Sequence, residues 1–163
     1  MKALLPYLKL LLVFGAFYWL MATWKESPML EAGQGTQARQ LVTLSGQPMV
    51  LGGPTDKPTL VYFFAPWCSI CRHSIPNLQA LAAGEGDWRA LTVALDFDSH
   101  QQVQDFVDQT GLTLPVLLGD GALASAWQVP GYPAYYVLDE AGTIKARNLG
   151  YSTRLGLWLR APR

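Results

Sequence analysis

The 163-residue sequence predicts an α/β fold: a central mixed β-sheet flanked by helices, led by a β-hairpin and preceded by a single N-terminal transmembrane helix. Three observations carry this expectation. From Thr59 onward, apolar β-branched and aromatic runs alternate with segments of helical periodicity, then give way to a terminal hairpin and helix. The N-terminus reads LLLVFGAFYWLMATW from Leu10 to Trp24, with no charged residue. The two cysteines of the chain stand together in Cys68-Ser69-Ile70-Cys71, between a strand-like and a helix-like segment.

A spanning helix needs about 20 mostly apolar residues. Ala3 to Trp24 supplies them if Lys9 snorkels toward the headgroups. Residues 1–24 are therefore expected to be a transmembrane signal anchor. The competing reading is a cleaved signal peptide, for which Leu20-Met21-Ala22-Thr23-Trp24 offers poor cleavage sites. Lys2 and Lys9 precede the span, so the expected topology is single-pass in an inner membrane, N-terminus cytoplasmic and the globular domain periplasmic. Disulfides form and persist in such a compartment. Residues 25–40, polar with two glycines and a proline, read as a linker with little capacity to bury a core.

The folded domain is expected over 41–163. Leu41–Leu44 and Pro48–Leu51 around Gly46 suggest a hairpin. Thr59–Phe64 (TLVYFF) has the composition of a strand buried on both faces. Cys68–Ala83 has helical spacing, with Ile70, Ile75, Leu78 and Leu81 near one face, Pro76 predicting a kink and Gly84 a stop. Leu91–Leu95 is a second buried strand, Gln101–Gln109 an amphipathic helix ended by Gly111, and Leu114–Leu118 a third strand. A small helix near Gly121–Trp127, strands at Ala134–Leu138 and Thr143–Leu149 around an Asp-Glu-Ala-Gly turn, and a helix over Thr153–Leu159 complete the chain. There is no internal repeat. The formal charge is zero and no Lys/Arg run occurs, which leaves no electrostatic case for a nucleic-acid partner.

The two cysteines carry the chemistry. A strand ending at Phe64 and a helix beginning near Cys68 place the first thiol at a helix N-terminus, where unpaired N–H groups and the helix dipole stabilise a thiolate. Cys71 follows one turn later on the buried side and is placed to attack the sulfur of Cys68, so the pair can exchange two electrons through a mixed disulfide. Two plainer readings compete. A structural bridge closing so small a loop removes little unfolded-state entropy. A structural zinc site takes four ligands, and the chain has two thiols.

Trp67-Cys68-Ser69-Ile70-Cys71 after a strand, Pro76 in the following helix, and Val129-Pro130-Gly131-Tyr132-Pro133-Ala134 before the next strand resemble the thioredoxin superfamily. The leading hairpin and the Asp-Glu-Ala-Gly turn resemble its membrane-tethered TlpA/ResA-type branch. The resemblance implies a thioredoxin-like fold and a thiol–disulfide oxidoreductase that needs no cofactor beyond the Cys68–Cys71 couple. It implies Cys68 as nucleophile and Cys71 as resolving thiol. Trp67, Tyr132 and a cis Pro133 would form the surface that meets a substrate protein. The expected partners are protein disulfides and a membrane or periplasmic thiol donor that restores the dithiol.

Three departures qualify the likeness. Many relatives carry an acid six residues before the first cysteine, where this chain has Tyr62. Asp96 and Asp98 are candidate substitutes as a proton relay, the alternative being solvated loop or helix-cap residues. Ala134 stands where haem-maturation relatives have Glu. Ser69-Ile70 offers no cation to stabilise the thiolate, which favours a reductant over a disulfide-forming oxidase or isomerase. A different class of function is a Cu(I) carrier using Cys68, Cys71 and a histidine, His73 or His100.

Overall fold

The structure is a computed structural model that describes residues 4–26, 28–84 and 86–161. After helix α1 (Leu4–Glu26) come strands β1 (Arg39–Thr43), β2 (Pro48–Leu51) and β3 (Thr59–Phe64), then helix α2 (Ser69–Ala82). Strand β4 (Arg89–Ala94), helix α3 (His100–Thr110), strand β5 (Val116–Leu118) and helix α4 (Gly121–Ala126) follow. The chain closes with β6 (Ala134–Leu138), β7 (Ile144–Leu149) and α5 (Arg154–Arg160).

The described residues form one mixed sheet of seven strands in the order β2-β1-β5-β4-β3-β6-β7. Strands β3, β4 and β5 are parallel, and the outer pairings are antiparallel. Two parallel crossovers step in the same direction across the sheet. Right-handed connections then put both crossover helices, α2 and α3, on one face. Side-chain alternation along β3 serves both faces. Leu60, Tyr62 and Phe64 pack with Cys71, Ile75 and Leu78 of α2, Phe106 of α3 and Leu157 of α5. Val61 and Phe63 pack on the other face with Leu123, Trp127 and Tyr136. Every β3 residue is buried, as its unbroken apolar composition predicts.

Two expectations about the N-terminal part change. Residues 28–38, read as part of a tether, are docked along the β6–β7 hairpin. Met29 is buried in the second core, and the Arg147 guanidinium donates to the carbonyls of Met29 and Leu30 at 2.6 and 2.7 Å. Gly35 bridges Thr143, and the Thr36 hydroxyl donates to Gly142 O at 2.8 Å. These partners come from more than a hundred residues away, so composition around Met29 carries no trace of them.

The transmembrane anchor over 1–24 is also corrected, and with it the single-pass inner-membrane location and the attachment to membrane. Residues 1–3 lie outside the described residues. The helix forms, but among the described residues no helix is long and apolar enough to cross a membrane.

Candidate active site

Strand β3 ends at Phe64, and Ala65-Pro66-Trp67 turns the chain into α2. Cys68 is the N-cap residue of that helix. Its backbone N–H donates to Ala65 O at 3.0 Å, and its sulfur accepts from the Cys71 N–H at 3.2 Å. The sulfur thus takes up one of the donors that the first turn of a helix leaves without an internal partner. Cys68 and Cys71 are joined by a disulfide. Cys68 is 6% exposed and Cys71 fully buried, so the two sulfurs differ in access although they share a bond.

The rim of the site is aromatic. Trp67 is 57% exposed, and its indole Nε1 donates to Asp96 O at 2.9 Å, which ties the rim to the turn after β4. The Trp67 ring meets the Tyr132 ring edge-on, with centroids 5.7 Å apart. Tyr132 packs against the core cluster that contains both cysteines, and the Tyr132–Pro133 peptide bond is cis. Burial raises the ionisation of the Tyr132 phenol above its ordinary range, and the nearby Asp96 charge adds to the effect. Trp67, Tyr132 and Asp96 are therefore neighbours on one edge of the site. Asp98 lies two residues further along the same loop. Its backbone N–H donates to Gln102 Oε1 at 3.0 Å, at the start of α3.

The face of α2 differs from its sequence reading. Ile70, placed by periodicity on the apolar side, is 50% exposed beside Trp67, and the buried residues are Cys71, Ser74, Ile75 and Leu78. The sheet sets this phase, because the face of α2 that packs against β3 is the one carrying Cys71, Ile75 and Leu78. Arg72, next after Cys71, is turned to the loop and not to the sulfurs in any contact it makes. Its guanidinium donates to Pro66 O at 3.3 Å and lies over the Phe106 ring at 5.9 Å, bracing the turn that carries Trp67.

Behind Cys71 the interior is polar at a few atoms. The hydroxyls of Tyr62 and Ser74 are buried without a hydrogen-bond partner of ordinary geometry, and Tyr135 lies opposite Tyr62 in the β3–β6 register. Sequence reading singled out Tyr62 but not Ser74. A serine three residues beyond Cys71, in an otherwise apolar helical stripe, was the available signal. The Cu(I) reading finds no support. Among the described residues no group of three or more His, Cys, Asp or Glu side chains is placed to hold a metal. His73 Nδ1 is bonded to Ser69 O at 2.8 Å.

The sequence model of the AhpC/TSA family matches residues 32–147. The chain belongs to the AhpC/TSA family. Within it, this AhpC/TSA protein is 33% identical over 134 residues to the thioredoxin-like protein YneN of Bacillus subtilis, covering 80% of this chain and 78% of that one. It is 26% identical over 113 residues to the thiol–disulfide oxidoreductase ResA of Bacillus thuringiensis, covering 68% and 65%. Among solved structures it resembles a secreted disulfide oxidoreductase of Mycobacterium tuberculosis, with 27% identity, a TM-score of 0.65, and 75% and 92% of the two chains covered. This AhpC/TSA protein is a thioredoxin-fold oxidoreductase of the TlpA/ResA/DsbE-like type, with a redox-active CxxC disulfide formed by Cys68 and Cys71.

Proposed function

We propose that the protein exchanges disulfides with protein partners, with Cys68 as the attacking sulfur and Cys71 as the resolving one. The observation that carries this assignment is the asymmetry of the pair. Cys68 caps a helix at the rim beside exposed Trp67 and Ile70, while Cys71 is fully buried one turn below. Only the rim sulfur is in reach of a macromolecular disulfide, and its capping position stabilises the thiolate.

In the reduced form, the Cys68 thiolate attacks a partner disulfide, forming a Cys68–partner bond and releasing the other partner sulfur. Cys71 then attacks the Cys68 sulfur, expels the partner as a thiol and closes the intramolecular bridge. The indole of Trp67, Ile70 and the Tyr132 ring form the apolar surface on which an extended partner segment rests. A thiol donor of the same compartment restores the dithiol. The mycobacterial relative is described as secreted, and an extracytoplasmic setting suits a cysteine pair kept solely for exchange.

Trapping tests the assignment. The Cys71→Ser protein is expected to accumulate mixed disulfides with other proteins, visible on non-reducing gels and released by dithiothreitol, while Cys68→Ser accumulates none. The reverse pattern, with adducts only on Cys71, would overturn the roles.

A further inference from the structure

Cys71 must lose a proton before it resolves a mixed disulfide, yet it is fully buried, and among the described residues no charged side chain is buried. The polar groups around it are hydroxyls. Ser74 lies on the buried face of α2 three residues beyond Cys71, where side chains of a helix are neighbours. Tyr62 rises from β3 beneath that face and belongs to the same packed cluster as both cysteines.

The Tyr62 and Ser74 hydroxyls are near enough to interact with each other, but neither has a partner of ordinary geometry. Stranding a buried hydroxyl is costly, and such atoms call for an explanation. The oxidised state supplies one, because a disulfide sulfur has no proton to give and is a poor acceptor. Reduction creates at Cys71 a thiol that donates weakly or a thiolate that accepts strongly.

We propose that the Tyr62 and Ser74 hydroxyls form a receiving pocket for the reduced Cys71 sulfur, donating hydrogen bonds to its thiolate in place of a carboxylate or a cation. This rests on the exchange reading above. In the resolving step the Cys71 thiolate attacks the Cys68 sulfur of the mixed disulfide. The Cys68–Cys71 bond forms and the Cys68–partner bond breaks. Its electron pair leaves on the partner sulfur, which takes up from solvent the proton Cys71 gave up. The hydroxyls keep their protons throughout. Burial raises the ionisation of Tyr62 far above the ordinary phenol range, with Ser74 opposing the rise, so Tyr62 is a donor at any physiological pH.

The consequence is a redox poise set by two hydroxyls, since they stabilise the reduced state and keep only their weak mutual contact in the oxidised one. The test is the dithiol–disulfide equilibrium of the full chain in thiol redox buffers, for the wild type, Tyr62→Phe, Ser74→Ala and Ser74→Thr. Tyr62→Phe and Ser74→Ala are each expected to favour the disulfide about three- to tenfold, or about 15 to 30 mV more negative. Ser74→Thr should restore the wild-type value, and the oxidised Tyr62→Phe and Ser74→Ala proteins should melt no lower than the wild type. A merely structural role moves melting but not the equilibrium. Equilibria within twofold of the wild type, or shifted toward the dithiol, overturn the proposal while leaving the exchange reading intact. If Tyr62→Phe does not fold, the Ser74 pair decides alone. A wild type with no reversible couple would sink both readings.

Discussion

Removing a single oxygen, by Tyr136→Phe, tests whether residues 28–38 belong to the fold. The Tyr136 hydroxyl donates to Trp127 O at 2.7 Å and accepts from the Leu30 N–H at 3.2 Å, joining the docked segment to the end of α4. The ring packs against Phe63 and Trp127 with centroids at 6.1 and 5.6 Å, and phenylalanine keeps those contacts. What is lost is the hydroxyl bridge. The Trp127 carbonyl loses its buried donor, a penalty of about 1–3 kcal/mol, while the part-buried Leu30 N–H turns to water at small cost. The expected destabilisation is about 2 kcal/mol, a fall in Tm of roughly 4–8 °C for a chain of this size. Thermal unfolding of the oxidised protein reads the first quantity. Cleavage by a glutamate-specific protease after Glu31 reads the second, and it should be faster in the variant because the segment has lost an attachment. A Tm within 1 °C of the wild type, with unchanged cleavage, would refute the argument that this bridge holds 28–38 on the domain.

Alkaline pH should weaken the fold through the same tyrosine. Burial pushes its ionisation from 10.0 up to about 12, against the opposing Leu30 N–H and Arg147 charge. An unfolded phenol ionises first, so the stabilising contribution is complete below pH 10 and is lost as pH rises through about 12. Denaturant midpoints across that window should fall, and less steeply in Tyr136→Phe. Gly142→Ala is expected to cost about 2 kcal/mol or more, measured by urea unfolding. Gly142 has φ +77°, and a Cβ there would strike the Gly53 backbone. The reduction potential of the Cys68–Cys71 couple decides the direction of exchange. A value below about −250 mV marks a reductant, as the absence of a cation between the cysteines implies, and one above about −150 mV marks an oxidant or isomerase.

Much of the redox centre was legible in the chain because it is local. A buried strand, a short turn and a helix of strong periodicity bring Cys68 to a helix N-cap and Cys71 one turn inward, using only neighbours in sequence. The Ser99 cap of α3 and its left-handed Gly111 end are equally local. Periodicity states which residues share a face, but not which face meets the core. Periodicity alone therefore points Ile70 inward, although the sheet takes Cys71 and Ser74.

The tertiary structure decided whatever depends on distant partners. The docking of Met29 and Leu30 requires Tyr136 and Arg147, residues on two adjacent strands that no window around Met29 contains. Among the described residues no helix is long and apolar enough to cross a membrane, whereas counting apolar letters from Ala3 to Trp24 gives the opposite expectation. The meeting of Tyr62, Ser74 and Tyr135 behind the disulfide needs the β3–β6 register and the crossover of α2 over the sheet together. Local sequence sets conformation and facing along one element. Burial and polar partnership arise only between elements, from contacts that the chain makes after it has folded back on itself.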